Sequence, residues 1–220
     1  MTAAARDVRF WNGAARKYAE RPLGDVAAYE RTLERTRSHL KPSDVVLEFG
    51  SGTGTTAVKL APSVSRYVAT DLAPAMIEIG RERAAEAKVG NITFEAGTPA
   101  DARFVDKWGE GAFDAVIAFN VLHLITDRKP MFAGVRRMLK PGGRFISKTP
   151  CLSDMNLLMG AMVRVVVPIM QMIGKAPAVA IFSPKEIESE IEAAGFRFID
   201  RALLGTKAGD IRPFLVAERV

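Results

Sequence analysis

The sequence predicts an α/β fold with a mostly parallel sheet and helices on both of its faces. From residue 45 onward, short apolar segments alternate with longer segments of helical spacing, and this alternation is typical of βαβ units. The first apolar segment, VVLEF, runs directly into a turn that holds three glycines. The chain ends in two strand-like segments, GFRFID and PFLVAERV, which predict a hairpin at the edge of the sheet.

Length and composition narrow the class of protein. The 220 residues are 48% hydrophobic, which is enough for one sizeable core, and we expect a single domain. The one cysteine, Cys151, excludes a disulfide framework and a cysteine-based zinc site, and two histidines are too few for a cluster, so no metal site is predicted. The net charge is +6, but the basic residues are spread along the chain, so we expect no nucleic-acid partner.

The domain is expected to have four parts. Residues 1–44 show helical spacing in two stretches and predict a helical cap over the sheet. We expect residues 45–150 to form the core of the fold, 151–182 a helical insert, and 183–220 a helix followed by the strand hairpin. The N-terminal segment is polar and carries no secretory pattern, so we expect a cytoplasmic protein.

The elements of the core follow one another in a regular order. Strands are predicted at VVLEF, RYVAT, NITFEA, FDAVIAF and RFISKT, and helices at TTAVKLA, APAMIEIGRERAAEA and RKPMFAGVRRMLK. Pro74 falls in the first turn of the second helix, and Gly142 and Gly143 follow the third. Ser183, with Glu186 three residues later, is a capping-box pattern and predicts the start of the last helix.

The turn after the first strand is rich in glycine. Gly50, Gly52 and Gly54 can adopt positive φ and let a ligand approach the backbone. A dinucleotide fingerprint would have Gly or Ala where Thr55 stands, and it would place a pyrophosphate beside Glu48. Two such charges about 5 Å apart repel by roughly 3 kcal/mol at an effective dielectric of about 20. A nicotinamide-dependent oxidoreductase is therefore the less favoured alternative.

A ligand with an adenosine and positive charges, but no phosphate, suits these acids better. S-adenosylmethionine is such a ligand, because its methionine end carries an α-amino group and a sulfonium. Asp71 follows the second strand, where an acidic side chain can accept both ribose hydroxyls. Two alternatives stay open: Glu48 as a surface carboxylate, and Asp71 as a helix cap ahead of Pro74. The pair of acids favours S-adenosylmethionine.

Four motifs in order carry a family resemblance: LEFGSGTG, ATDLAPAMIE, FDAVIAFNVLHLI and RRMLKPGGRFI. They resemble the class I S-adenosylmethionine-dependent methyltransferases, in particular the small-molecule group that includes the ubiquinone and menaquinone C-methyltransferases. The resemblance covers about residues 45–150, and more loosely 183–220 and the opening FWNGAARKY. It implies a Rossmann-like, seven-stranded sheet in the order 3-2-1-4-5-7-6, with the last strand antiparallel.

The resemblance also implies where the cofactor binds. It places Gly50, Ser51 and Gly52 under the methionine moiety, Glu48 near the amino group, and Asp71 on the ribose. After the third strand, Thr98 stands where the family usually has an acid for the adenine amino group. The other implied contacts are Leu72 and Met76 against the adenine, Pro99 beside Thr98, and Asn120 and Val121 along the methyl-donor floor.

Methyl transfer is an in-line displacement, so positioning of the acceptor supplies much of the rate. A general base matters only for a weakly nucleophilic acceptor, and His123 could take a proton at neutral pH or instead pack under the cofactor. Tyr18 and Trp11 could close over the cofactor or pack in an amphipathic helix. Asp154 and Lys148 are acceptor-side candidates or solvated loop charges.

The insert is rich in methionine and aliphatic residues. Flexible methionines fit irregular apolar shapes, which favours a small quinone-like, phenolic or phospholipid acceptor, unless the insert is only a lid over the core. Arg164, Pro168 and Gly160 argue against a transmembrane helix. Residues 152–173 would suit peripheral membrane contact. A protein that keeps the fold but binds a lipid or partner without turnover is a further alternative.

Overall fold

One sheet of seven strands forms the centre of the molecule. The computed structural model describes residues 3–153, 166–171, 175–204 and 212–220. The strands are β1 Val45–Phe49, β2 Arg66–Asp71, β3 Ile92–Ala96, β4 Phe113–Phe119, β5 Leu139–Lys148, β6 Phe196–Leu203 and β7 Pro213–Arg219. The described helices are α1 Ala3–Ala19, α2 Val26–Arg37, α3 Thr55–Leu60, α4 Pro74–Glu86, α5 Ala102–Trp108, α6 Lys129–Met138 and α7 Pro184–Ala193.

The strand order is β3-β2-β1-β4-β5-β7-β6. Neighbours among β1 to β5 pair in parallel, whereas β7 pairs antiparallel with both β5 and β6. The predicted fold class, strand order and antiparallel last strand are thereby confirmed. The parallel strands are apolar on both sides because helices cover both faces of the sheet.

The core lies in two layers, one on each face of the sheet. Successive side chains of a strand point to opposite faces, so Leu47 and Phe49 belong to one layer and Val46 to the other. The first layer packs under α5, α6 and α7, and the second under α2, α3 and α4. Glu48 shares the face of Val46, and it therefore points into the second layer.

Helix α1 docks along α4. Asn12 Oδ1 accepts a hydrogen bond from the Ala75 N–H at 3.0 Å, at a helix start where the N-cap residue supplies no side-chain bond. Arg16 forms a two-pronged ion pair with Glu82, with N···O distances of 2.6 and 2.8 Å. Trp11, Ala15 and Ala19 pack against the apolar side of α4. Two polar bridges and an apolar seam thus hold α1 in place.

Two elements differ from the sequence prediction. Helix α5 was not predicted, since its seven residues are too few to show a clear periodicity; the Asp101 carboxylate marks its start by accepting the Arg103 N–H at 2.9 Å. Strand β5 begins at Leu139 rather than Arg144, because Leu139 already pairs with Phe113. The register then shifts, and the strand resumes beyond the two glycines.

The described part of the chain contains no helix that is long and apolar enough to cross a membrane. Most of the segment 152–173, predicted to contact a membrane surface, lies outside the described residues, as does Asp154. These expectations stay predictions. The predicted capping box of α7 is confirmed: Ser183 Oγ accepts the Glu186 N–H, and Glu186 accepts the Ser183 N–H.

Candidate cofactor site

The glycine turn joins β1 to α3, and its three glycines have φ values of 64°, 53° and 75°. A Cβ atom at Gly50 would lie 2.4 Å from a Val121 methyl, and one at Gly54 would lie 2.7 Å from the Phe94 ring. Both distances are far below van der Waals contact. These two positions need glycine for packing as well as for backbone conformation.

The middle of the turn faces open space. A Cβ atom at Gly52 would meet only Tyr18 Cε1, at 3.9 Å. Beside it, Ser51 Oγ is buried and has no hydrogen-bond partner among the described residues. A buried hydroxyl is normally hydrogen-bonded, so this one is suited to a ligand. The turn therefore offers a polar surface to a ligand under Tyr18.

Asp71, the last residue of β2, supports this turn. One carboxylate oxygen accepts the Gly52 N–H at 3.0 Å, and the other accepts the Ala73 N–H at 2.9 Å. Burial raises the pKa of Asp71, against these backbone bonds, which lower it. Each carboxylate oxygen has a second lone pair, which can accept a ribose hydroxyl. Asp71 therefore combines a local backbone role with the predicted ligand role.

Glu48 is buried at 2% exposure. The Tyr67 hydroxyl donates to Glu48 Oε2 at 2.9 Å. Burial, and to a lesser extent the charge of Asp71, raise the pKa of Glu48 to about 8, even though the Tyr67 bond lowers it. The side chain is therefore mainly protonated at neutral pH until a cation binds beside it. The sequence argument assumed a carboxylate that is ionised at neutral pH, whereas burial favours the protonated form there.

The loop after β3 lies next to Asp71, since the Gly97 N–H donates to the Asp71 carbonyl at 3.1 Å. Thr98 Oγ1 accepts the Ala100 N–H at 3.4 Å, a long bond that leaves the hydroxyl free to turn. Pro99 is buried, and its carbonyl would lie 1.8 Å from a Cβ at Gly134 of α6. The predicted adenine contacts thus sit on a loop that α6 holds in place.

The two apolar residues predicted against the adenine have different environments. Leu72 follows β2 directly and is 48% exposed, so its side chain is open to a ligand. Met76 is 2% exposed and packs with Ala15 and Ile79 between α1 and α4. The structure brings Leu72 to the surface beside Asp71 and places Met76 beneath α1.

The end of β4 abuts the glycine turn through Val121. Asn120 has a φ of 52°, which is uncommon for a residue other than glycine. Its N–H donates to the Lys148 carbonyl at 2.7 Å, and its Oδ1 accepts a bond from Arg212 at 3.1 Å. Residues held in such conformations cluster at functional sites. The predicted floor residues therefore adjoin the predicted methionine subsite.

His123 lies in a short 3₁₀ turn, Leu122–Leu124, just past β4. Its Nδ1 lies 3.2 Å from Thr149 Oγ1, and its carbonyl accepts the Ala180 N–H at 2.7 Å. Burial, and then the charge of Arg212, lower the pKa of His123 to about 4. The imidazole is neutral at pH 7 and is a weaker base than the sequence suggested.

The remaining candidates fall in two places. Lys148 is buried, and its Nζ donates to Thr32 Oγ1 of α2 at 2.8 Å, so it is no solvated loop charge. Tyr18 is 44% exposed and stands over Gly52, with the Trp11 ring edge-on at 6.0 Å. The tyrosine that sequence analysis proposed as a cover for the cofactor thus lies against the glycine turn.

Sequence analysis missed Arg83, which joins two parts of the site. Its guanidinium donates to the Thr53 carbonyl at 3.1 Å, to Thr53 Oγ1 at 2.6 Å and to the Thr55 hydroxyl. It also donates to the Ala19 carbonyl, at the end of α1, at 2.8 Å. No local pattern marks such a residue, because its partners lie 28 to 64 positions away.

Comparison with known proteins agrees with this geometry. Residues 47–145, from β1 into β5, match the family model described as a methyltransferase domain. In this region the chain is therefore similar to methyltransferase domains. It is 33% identical over 114 residues to the ubiquinone/menaquinone biosynthesis C-methyltransferase UbiE of Teredinibacter turnerae, covering 50% of this chain and 44% of that protein.

Two further matches show how widely the domain is used. The chain is 32% identical over 119 residues to the reducing polyketide synthase Preu2 of Preussia isomera, covering 52% of this chain but 5% of the synthase. The fold of the methyltransferase domain is shared with geranyl diphosphate C-methyltransferase of Streptomyces coelicolor, at a TM-score of 0.71, 17% identity, and coverage of 100% and 98% of the two chains. The chain spans less than half the length of these curated relatives.

Proposed function

We propose that this chain transfers a methyl group from S-adenosylmethionine to a small, largely apolar acceptor. One observation carries the proposal: Asp71 accepts the Gly52 N–H beneath an open glycine turn, next to the unpartnered hydroxyl of Ser51. This arrangement places a carboxylate lone pair and a buried hydroxyl without a partner beside a turn whose middle faces open space. It suits a nucleoside with a polar, uncharged ribose.

The residues present fit the cofactor. Asp71 would hold the ribose hydroxyls, Ser51 and the Gly52 backbone the methionine end, and Leu72 one face of the adenine. Glu48 would become ionised once the α-amino group lies close, because a nearby positive charge favours the charged form of a carboxyl. When bound, the cofactor supplies a methyl group that its sulfonium has already activated.

The chain would contribute mainly positioning. An in-line displacement needs the acceptor atom held about 3–3.5 Å from the methyl carbon, and such alignment can provide much of the rate. A neutral His123 with a lowered pKa agrees with a limited role for general base catalysis. Tyr18 would exclude water from the reacting atoms by covering the turn.

An apolar acceptor is supported by two features. Phe10, Trp11 and Tyr18 form a row of aromatic side chains beside the turn. The similar proteins described above, a quinone-pathway C-methyltransferase, a polyketide synthase and a geranyl diphosphate methyltransferase, are all named for carbon-rich molecules. A quinone-like, phenolic or phospholipid acceptor stays our proposal, and peripheral membrane contact through 152–173 would be tested by vesicle flotation at low salt.

The proposal is tested first by calorimetric titration with S-adenosylmethionine, S-adenosylhomocysteine and NADH. We expect micromolar binding of the two sulfur nucleosides and none of NADH. Asp71→Asn should weaken this binding, whereas Asp106→Asn, an exposed acid paired with Arg137 on α6, should not. Binding of NADH alone would favour an oxidoreductase.

A second experiment separates an enzyme from a protein that only binds. Radiolabelled S-adenosylmethionine would be incubated with quinols, phenols and phospholipids, and methylated products extracted into organic solvent. Labelled product that depends on Asp71 supports turnover. Tight cofactor binding with no product from any acceptor class would favour the binding protein without turnover.

A further inference from the structure

A groove of about 150 Å³ runs along the exposed side of α1. Its lining includes Phe10, Trp11, Lys17, Tyr18, Arg21 and Pro177. Tyr18 belongs both to this groove and to the cover over Gly52. A molecule in the groove would therefore lie beside the predicted methyl-donor site.

The middle of the groove is apolar and shaped by rings. Phe10 and Trp11 meet edge-on at a centroid distance of 5.2 Å, and Trp11 and Tyr18 do so at 6.0 Å. Pro177 faces them from the segment ahead of α7. Such a wall favours an alkyl, prenyl or aromatic body, because burial of apolar surface drives its association.

The charges of the groove are arranged asymmetrically. Lys17 and Arg21 are four residues apart and both are exposed. In the part of the chain that the structure describes, neither forms an ion pair, whereas their neighbour Arg16 is bound to Glu82. Asp7 lies ten residues before Lys17, about 15 Å along the helix, and its carboxylate accepts the Ala178 N–H at 3.0 Å. The charged residues that line the groove are thus both cationic, and Asp7 is bonded to the backbone next to Pro177 instead.

We propose that this groove holds the methyl acceptor, and that the acceptor is an amphiphile with one anionic end. Its apolar body would lie against Trp11 and Phe10, and its carboxylate or phosphate would lie between Lys17 and Arg21. The inference rests on the proposed function for its role in transfer. It narrows the acceptor classes of the proposed function to those with an anionic end, because Lys17 and Arg21 favour an anion over a neutral head group.

Binding is tested with four ten-carbon probes below their micelle concentrations: decanoate, decyl phosphate, decanol and decyltrimethylammonium. Trp11 lies in the groove and the second tryptophan, Trp108, lies in α5, so intrinsic fluorescence reports on occupancy. A fluorescence change that disappears in Trp11→Phe would show that the probe binds in the groove. We expect both anions to bind at least tenfold more tightly than decanol, with the cation weakest, and added salt to reduce the difference.

Variants of exposed residues separate charge from folding. The double variant Lys17→Gln/Arg21→Gln should bind decanoate about tenfold more weakly, close to decanol, with an unchanged thermal midpoint. Arg9→Gln removes one positive charge from another side of α1 and should bind decanoate like the original chain. Equal binding of decanol and decanoate, or an unchanged decanoate affinity in the double variant, would overturn the inference. The difference between the two anions shows whether carboxylate or phosphate is preferred.

The cofactor titration distinguishes this inference from the proposed function. If S-adenosylmethionine binds and the anions do not, the inference fails and the methyltransferase proposal stands. If the anions bind to a protein that has no affinity for S-adenosylmethionine, the proposed function fails, and the acceptor role of the groove fails with it.

Discussion

The buried carboxyl of Glu48 makes the stability of this protein depend on pH in a direction opposite to that of most acids. In the folded chain its pKa is about 8, against 4.5 for the free side chain. A folded-state pKa above the unfolded value means that the folded state holds the proton more tightly. The stability contributed by the protonated form is complete below pH 4.5, is lost progressively as the pH rises, and is gone above about pH 8.

The size of this effect follows from the two pKa values. At about 1.4 kcal/mol for each pH unit that separates them, the folded state should lose roughly 3–5 kcal/mol between pH 4.5 and pH 9. That is a large share of the 5–15 kcal/mol typical of a domain. Glu48→Gln removes the titration while keeping an oxygen that can accept the Tyr67 hydroxyl.

The assay is urea unfolding, followed by circular dichroism at pH 5, 6, 7, 8 and 9. Other titrating groups cancel in the difference between variant and original chain, so that difference isolates Glu48. We expect the variant to gain relative stability with pH and to level off above pH 8. Glu86→Gln, on the exposed side of α4, is the control for the same substitution at a surface position. A difference for Glu48→Gln that does not change with pH would refute the reasoning.

Three further predictions concern the turn, the docked helix and the histidine. Gly50→Ala should lower the free energy of unfolding in urea by about 3 kcal/mol, because the new methyl group meets Val121 in a strained conformation. Gly52→Ala should lower it by only about 1 kcal/mol, yet Gly52→Ala should weaken cofactor binding in calorimetry. Equal losses of stability in the two variants would contradict this prediction. Asn12→Ala removes the acceptor at the start of α4 and should cost about 1 kcal/mol in thermal unfolding, whereas Gly13→Ala, on the open side of α1, should not destabilise it. His123 is neutral above about pH 5, so methyl-transfer rates measured from pH 6 to 8 should show no inflection from it. His123→Ala should lower these rates less than tenfold if positioning dominates. A hundredfold loss would indicate that His123 acts as a general base.

The sequence was sufficient for the fold of the sheet. The βαβ alternation predicted a parallel sheet because its elements are local and strongly patterned, and the family resemblance carried by the four motifs implied the strand order. Helix α5 was not predicted because seven residues give too little periodicity. The early start of β5 escaped because it depends on pairing with Phe113, a contact between residues 26 positions apart.

The protonation states and contacts of the site residues could not be predicted from the sequence alone. The sequence suggests that Glu48 is charged, but its pKa depends on burial and on the hydrogen bond from Tyr67, which lies 19 residues away in the chain. Lys148 reads as a loop cation, yet it is buried and bonded to α2. Asp71 accepts backbone N–H groups from Gly52 and Ala73, so its local role is observed, and its role on the ribose stays a prediction that these bonds leave room for.

Arg83 links the glycine turn to the end of α1 through one side chain. One guanidinium donates both to the turn after β1 and to the last carbonyl of α1, so the floor and the cover of the cavity between them are tied to the same side chain. Anything that enters or leaves beneath Tyr18 has to stretch that tie. If the proposed function holds, we expect cofactor exchange to require a displacement of α1, and opening steps of this kind limit turnover in many enzymes.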